Sequence, residues 1–271
     1  MHIDSRITAG ELSRSITGLF ELAAGKVRQL ERSWDAGRGA PVFTVNGQYT
    51  SRGWTEWTQG FQYGCAILAF DATGDKELLE LGRRNTLERM APHVTHFGVH
   101  DHGFNNISTY GNLRRLMREG RFEHDPMEMA LYELALKASA AVQARRWTAL
   151  DGGAPERGFI HSFNGPHSLF VDTMRTLRIL AVGHQLGHKV WGESERPISL
   201  LGRLIAHLES TARYNIFYGE LRDSYDMAEQ RGRTAHEAIF NTADGSFRCP
   251  GTQQGYSPFS TWTRGLGCSA R

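Results

Sequence analysis

Apolar residues recur at intervals of three and four along most of this chain, and no long strands alternate with those segments. That pattern constrains the fold more than any other feature. Seven segments read as helices: 9–33, 54–72, 76–90, 104–118, 126–147, 168–187 and 198–214. In the first, Leu12, Ile16, Leu19, Phe20, Ala23, Val27 and Leu30 fall on one face. Asp125-Pro126 supplies a cap and a first-turn residue for the fifth. The turn Thr73-Gly74-Asp75 separates the second from the third. Strand signals are short: 159–163, and a hairpin over 238–248 around Asp244-Gly245. A doubly wound sheet is excluded, and no fixed-period repeat supports a solenoid. An all-α bundle or α/α barrel with no sheet beyond small hairpins is expected.

With 31 basic and 29 acidic residues the net charge is +2, too balanced to advertise nucleic acid or a membrane surface as partner. The pairs Arg114-Arg115 and Arg145-Arg146 read as solvated helix faces. Three widely spaced cysteines, Cys65, Cys249 and Cys268, form neither a disulfide framework nor a metal motif, and reduced thiols in the cytoplasm are expected. The N-terminus has no apolar signal core, and no apolar run reaches the ~18 residues of a membrane span. No linker divides the chain, so residues 1–271 are expected to form one domain.

Three loop segments concentrate polar chemistry. In Phe97–Phe104, Asp101 lies between Gly98 and Gly103, among His93, His96, His100 and His102. The histidine spacing fits no common zinc motif, and Asp101 reads either as a helix cap or as a ligand contact. In Phe163–Met174, Asp172 is flanked by Phe170, Val171 and Met174. Desolvation there would favour the protonated carboxyl of a general acid; the alternative is an Asp paired with a helix dipole. The third segment runs from His236 to Arg264 and holds Glu237, Gln253, Gln254, Tyr256 and Trp262. Amide, aromatic and guanidinium groups at this density suit a carboxylated sugar, or else a polar structural loop. The sequon Asn106-Ile107-Ser108 has nothing beside it that indicates secretion.

In order along the chain stand Trp57-Thr58-Gln59-Gly60-Phe61, Ala72-Thr73-Gly74-Asp75, His100-Asp101-x-Gly103-Phe104, Val171-Asp172-Thr173-Met174, Thr252-x-Gln254-Gly255-Tyr256 and Thr261-Trp262-Thr263-Arg264-Gly265. The ordered set resembles glycoside hydrolase family 88, the unsaturated glucuronyl hydrolases, and more distantly the unsaturated rhamnogalacturonyl hydrolases. The resemblance implies an (α/α)6 barrel of which about seven to eight of twelve helices are present. It implies hydration of the double bond in a 4,5-unsaturated uronic acid at the non-reducing end of a lyase-generated oligosaccharide. Asp172 resembles the acid/base, and Asp101 a second carboxylate that raises its partner's pKa. Trp57, His100, His236, Gln254, Trp262 and Arg264 resemble the substrate-binding set. No metal or organic cofactor is implied. The ending Leu266–Arg271 departs from the family pattern, so a barrel lacking its C-terminal part is expected, with an open apolar groove near 11–33 and 198–214. A non-catalytic module that binds acidic oligosaccharide is the alternative.

Overall fold

The structure, a computed structural model, describes residues 7–53, 56–152 and 154–264. The start of the expected second helix at Trp54 and the tail from 265 to 271, with Cys268 and the departing chain end, lie outside the described residues. In chain order the helices are α1 (Ala9–Ser33), α2 (Gln59–Thr73), α3 (Lys76–Arg89), α4 (Ala91–Val94), α5 (His102–Asn106), α6 (Asn112–Arg118), α7 (Pro126–Arg145), α8 (Arg178–Gln185) and α9 (Leu200–Tyr214). The strands are β1 (Phe43–Val45), β2 (Gln48–Thr50), β3 (Trp147–Leu150), β4 (Ala154–Ile160), β5 (Ser168–Phe170), β6 (Val190–Trp191), β7 (Pro197–Ile198), β8 (Glu237–Phe240) and β9 (Phe247–Gly251). Two compact units emerge: Met1–Pro92 with Ile107–Tyr132, and His93–Asn106 with Glu133–Arg271.

In the first unit α2 packs against α1 and α3 and buries Tyr63, Ile67 and Phe70. Gly74, at φ +74°, ends α2, and the Asp75 side chain then accepts the Glu77 N–H to start α3. A Thr8–Glu11 capping box opens α1. Arg28 of α1 pairs with Asp75 and Glu77, and Arg84 of α3 reaches Glu31 at 2.9 Å. Leu12, Ile16, Leu19 and Leu22 of α1 stay exposed. The hairpin β1–β2 was not evident from periodicity. Its turn, Asn46-Gly47 with both residues at positive φ, is the signal that marks it.

The expected helix 104–118 is interrupted. A five-residue π turn, Ile107–Gly111, separates α5 from α6. The expected helix 168–187 is also corrected. It begins as strand β5, continues as a 3-10 turn over Val171–Thr176, and becomes α-helical only at α8. Tertiary pairing decides this, because β5 pairs antiparallel with β8, and Phe170 lies opposite Glu237.

In the second unit β5, β8 and β9 form a three-stranded sheet in the order β5-β8-β9, one strand more than the hairpin expected over 238–248. Leu150, Phe159, Leu169, Ala238 and Phe240 form its apolar core, against which Tyr214 and Phe247 pack. Helix α9 packs on β4 and α8, while Leu201, Ile205 and Leu208 on its other side remain exposed. Among the described residues no helix is long and apolar enough to cross a membrane.

Candidate active site

The second unit carries the site. Asp101 precedes α5, and Asp172 sits in the first turn of the 3-10 segment after β5. Gly103 lets these two segments meet. A Cβ at this position would lie 2.6 Å from Ile179 Cγ2 and 2.7 Å from the Thr176 carbonyl oxygen, closer than real atoms approach. Only a glycine allows α5 to lie this near the chain that holds Asp172.

The resulting cluster is buried: His100 is 2%, Asp101 6% and Asp172 4% exposed. His100 Nε2 lies 3.2 Å from Asp172 Oδ1, and His100 Nδ1 lies 3.8 Å from Asp101 Oδ2. Arg175 Nη2 donates to Asp101 Oδ1 at 2.6 Å and to Asp172 Oδ2 at 2.9 Å. One guanidinium nitrogen therefore bridges both carboxylates, and its plane lies over the Phe104 ring at 4.6 Å. His100, Asp101 and Asp172 bring ligand atoms within 4.8 Å of one another, a spacing that would suit a small cation. Arg175 puts its own charge there. Sequence reading missed this residue, and the signal available was its position three residues after Asp172.

The charge state of Asp172 corrects the expectation of a protonated acid. Burial does push its carboxyl upward, but the hydrogen bond and charge of His100, with Arg175 and His236, outweigh burial and hold it down to about 2. Asp101 does not act as a bare like charge beside Asp172, because Arg175 lies between them. Nor is either Asp engaged mainly as a helix cap, since both carboxylates are taken by side chains.

Support comes from neighbouring segments. Gln143 of α7 donates to the His100 carbonyl at 3.1 Å. Arg146 binds the carbonyls of Phe97, His161 and Ser162, so it ties the two loops together rather than facing solvent as expected. Burial lowers the pKa of that guanidinium. Arg115 likewise is paired, with Asp71 and Glu119. The four histidines of 93–102 do not converge: His100 faces Asp172, His102 Nε2 contacts Ser139, and His93 meets His96 edge-on. Asn106 of the sequon is buried, donating to the carbonyls of His93 and His102 and to the Ser139 hydroxyl.

An aromatic path leads from the carboxylates to the surface. Phe163 stacks on His100, Phe170 meets both His100 and His236, and His236 packs on Trp262 with centroids 4.1 Å apart. Arg264 lies over Trp262 at 4.4 Å and donates to Gln254 Oε1. The backbone N–H groups of Gln253 and Gln254 both donate to His236 Nδ1, at 3.0 and 3.2 Å. This places the ring proton on Nε2, a buried atom with no hydrogen-bond partner among the described residues. Burial lowers the pKa of His236 against the opposing pull of Asp172 and Glu237. Glu237 is itself held by Asn164 and the Ser168 hydroxyl. Seven of the eight expected residues thus form one connected set: His100, Asp101, Asp172, His236, Gln254, Trp262 and Arg264. Trp57 belongs to the first unit, half-buried in a 3-10 turn over Glu56–Thr58.

No family model matches the chain, and no curated protein matches it in sequence. Its structure is similar to those of unsaturated glucuronyl hydrolases. One specific for heparin superposes with TM-score 0.68 and 20% identity, covering 92% of this chain and 58% of that one. The enzyme from Streptococcus agalactiae gives TM-score 0.64 and 22% identity over 92% and 56%. The enzyme responsible for glycosaminoglycan degradation from Bacillus sp. GL1 gives 0.58 and 21% over 90% and 56%. The chain therefore has the fold of these (α/α)6-barrel enzymes and spans somewhat more than half of their length.

Proposed function

We propose that this chain carries the acid/base centre of an unsaturated uronyl hydrolase. The observation that carries this reading is the meeting of Asp101 and Asp172 in a buried cluster with His100, at the inner end of an aromatic path. Gln254, Trp262 and Arg264 lie at the outer end. In this reading an unsaturated uronic acid stacks on Trp262, and its carboxylate binds Arg264 and Gln254. His236 Nε2–H, without a hydrogen-bond partner among the described residues, offers the sugar a donor. Asp172 protonates C4 of the vinyl ether; as carboxylate it then takes a proton from the water that adds at C5. The hemiketal collapses, releasing the neighbouring sugar. The carboxylate spacing does not select retention or inversion, because the anomeric carbon is not attacked.

The substrate class is a lyase-generated oligosaccharide ending in a 4,5-unsaturated glucuronic or galacturonic acid, by analogy with the structural neighbours. The reading needs no metal or organic cofactor and places the chain, as one catalytic unit, in the cytoplasm. Among the described residues Cys65 and Cys249 form no disulfide. A second reading, binding of acidic oligosaccharide without turnover, is favoured by the ionised state of Asp172. Incubation with unsaturated disaccharides separates the two. Loss of the ultraviolet absorbance of the conjugated double bond supports hydrolysis, and calorimetric binding without that loss supports the binding module.

A further inference from the structure

Both oxygens of Asp172 are engaged, Oδ1 by His100 and Oδ2 by Arg175. A carboxyl that gives a proton to carbon needs one oxygen free to carry it. His100 is fixed by its backbone bond from Gln143 and by rings on two sides. Arg175 is the movable partner. Its side chain is 22% exposed, its other anchors are Asp101 and the face of Phe104, and among the described residues its buried Nε has no hydrogen-bond partner.

Taking the hydrolase reading as its basis, we propose that Arg175 is a lock on the acid/base pair: it holds Asp101 and Asp172 together as carboxylates, and proton donation begins when the guanidinium leaves Asp172. Arg175 is then a positioning residue that sets when the acid can form. The groups facing Asp172 are His100 from the loop before α5, Arg175 from its own turn and His236 from the segment before β8, with Asp101 across the guanidinium. Removing Arg175 takes the guanidinium from between Asp101 and Asp172 and leaves the two carboxylates face to face beside His100 and His236, so the proton affinity of Asp172 must rise.

The test uses the full chain labelled with 13C at aspartate carboxyls, with Asp172→Asn to assign the resonance. In Arg175→Met the Asp172 midpoint should rise by about one pH unit or more, and turnover at neutral pH by about tenfold, since each unit is tenfold in protonated fraction. Arg175→Lys keeps a charge but presents a single ammonium, so its midpoint should fall between the two. It also serves if the methionine variant fails to fold. An unchanged Asp172 midpoint in either folded variant overturns the lock. So does a raised midpoint accompanied by lower turnover. A raised midpoint in protein that never turns over any unsaturated uronide leaves the lock standing and removes the hydrolase reading instead.

Discussion

Two buried aspartates in the second unit share a low proton affinity and differ in everything that produces it. Asp226 takes its donors from its own loop. The N–H groups of Tyr218, Gly219 and Glu220 reach it at 2.7, 2.9 and 3.3 Å, and Arg222 Nε at 2.7 Å, all within eight residues. Burial pushes its carboxyl up, but Arg222 and these backbone donors drive it well below the usual range. Asp172 is satisfied by side chains, one of them 72 positions away, and shares Arg175 with a second carboxylate. Backbone donors fix a carboxylate permanently, and the loop is what it fixes. Side-chain donors can be exchanged for a ligand. The identity of the donors, more than the depth of burial, separates the structural aspartate from the chemical one.

The strongest way to break this comparison is Asp172→Asn. It preserves shape and removes the proton donor, so turnover should fall by about 10²–10⁴-fold while the melting midpoint stays near wild type. A variant that keeps its activity would move the acid elsewhere, and one that loses its fold would put Asp172 in the same class as Asp226.

Asp226→Ala should do the reverse, costing about 3 kcal/mol in denaturant unfolding because its donors lose their acceptor. The proton affinity of Asp226 is lower folded than unfolded. Its contribution is therefore whole above the ordinary carboxylate value near 4 and is lost as pH falls below it. Unfolding curves of the wild type should show that acid-side loss, and curves of the variant a shallower one.

Gly103→Ala sharpens the geometric half of the argument. The added methyl meets Thr176 and Ile179, so the segment bearing Asp101 must move away from that bearing Asp172. A cost of about 1–3 kcal/mol from overpacking is expected, with turnover reduced by up to about 100-fold by misplacement. Stability lost with unchanged turnover would show that the two carboxylates need not be held this closely. The smallest effect belongs to the outer end of the path. Trp262→Ala should raise KM several-fold, about 1 kcal/mol of lost stacking, with little change in kcat.

Much of the scaffold is legible in the sequence. The residues of α1, α3 and α7 announce themselves by apolar spacing, a signal that neighbours three and four residues away suffice to generate. The β8–β9 pair announces itself by Asp244-Gly245, with Gly245 at φ +72°. The motifs around Asp101, Asp172 and the loop from His236 to Arg264 could be picked out by composition, and the structure brings them together. The nature of 168–176 was not legible, because hydrogen bonds from β8, some 70 residues on, turned an apolar helix start into a strand. The charge of Asp172 was not legible either. Its flanking apolar residues argue for a neutral acid, and only the approach of His100 and Arg175 in space reverses that sign. Local spacing, an attribute of the chain, determined most of the helical segments and where the polar residues gather. Tertiary structure decided which of those residues meet and in what charge state, because Coulomb and hydrogen-bond energies depend on distances of a few ångströms between groups that the sequence holds far apart.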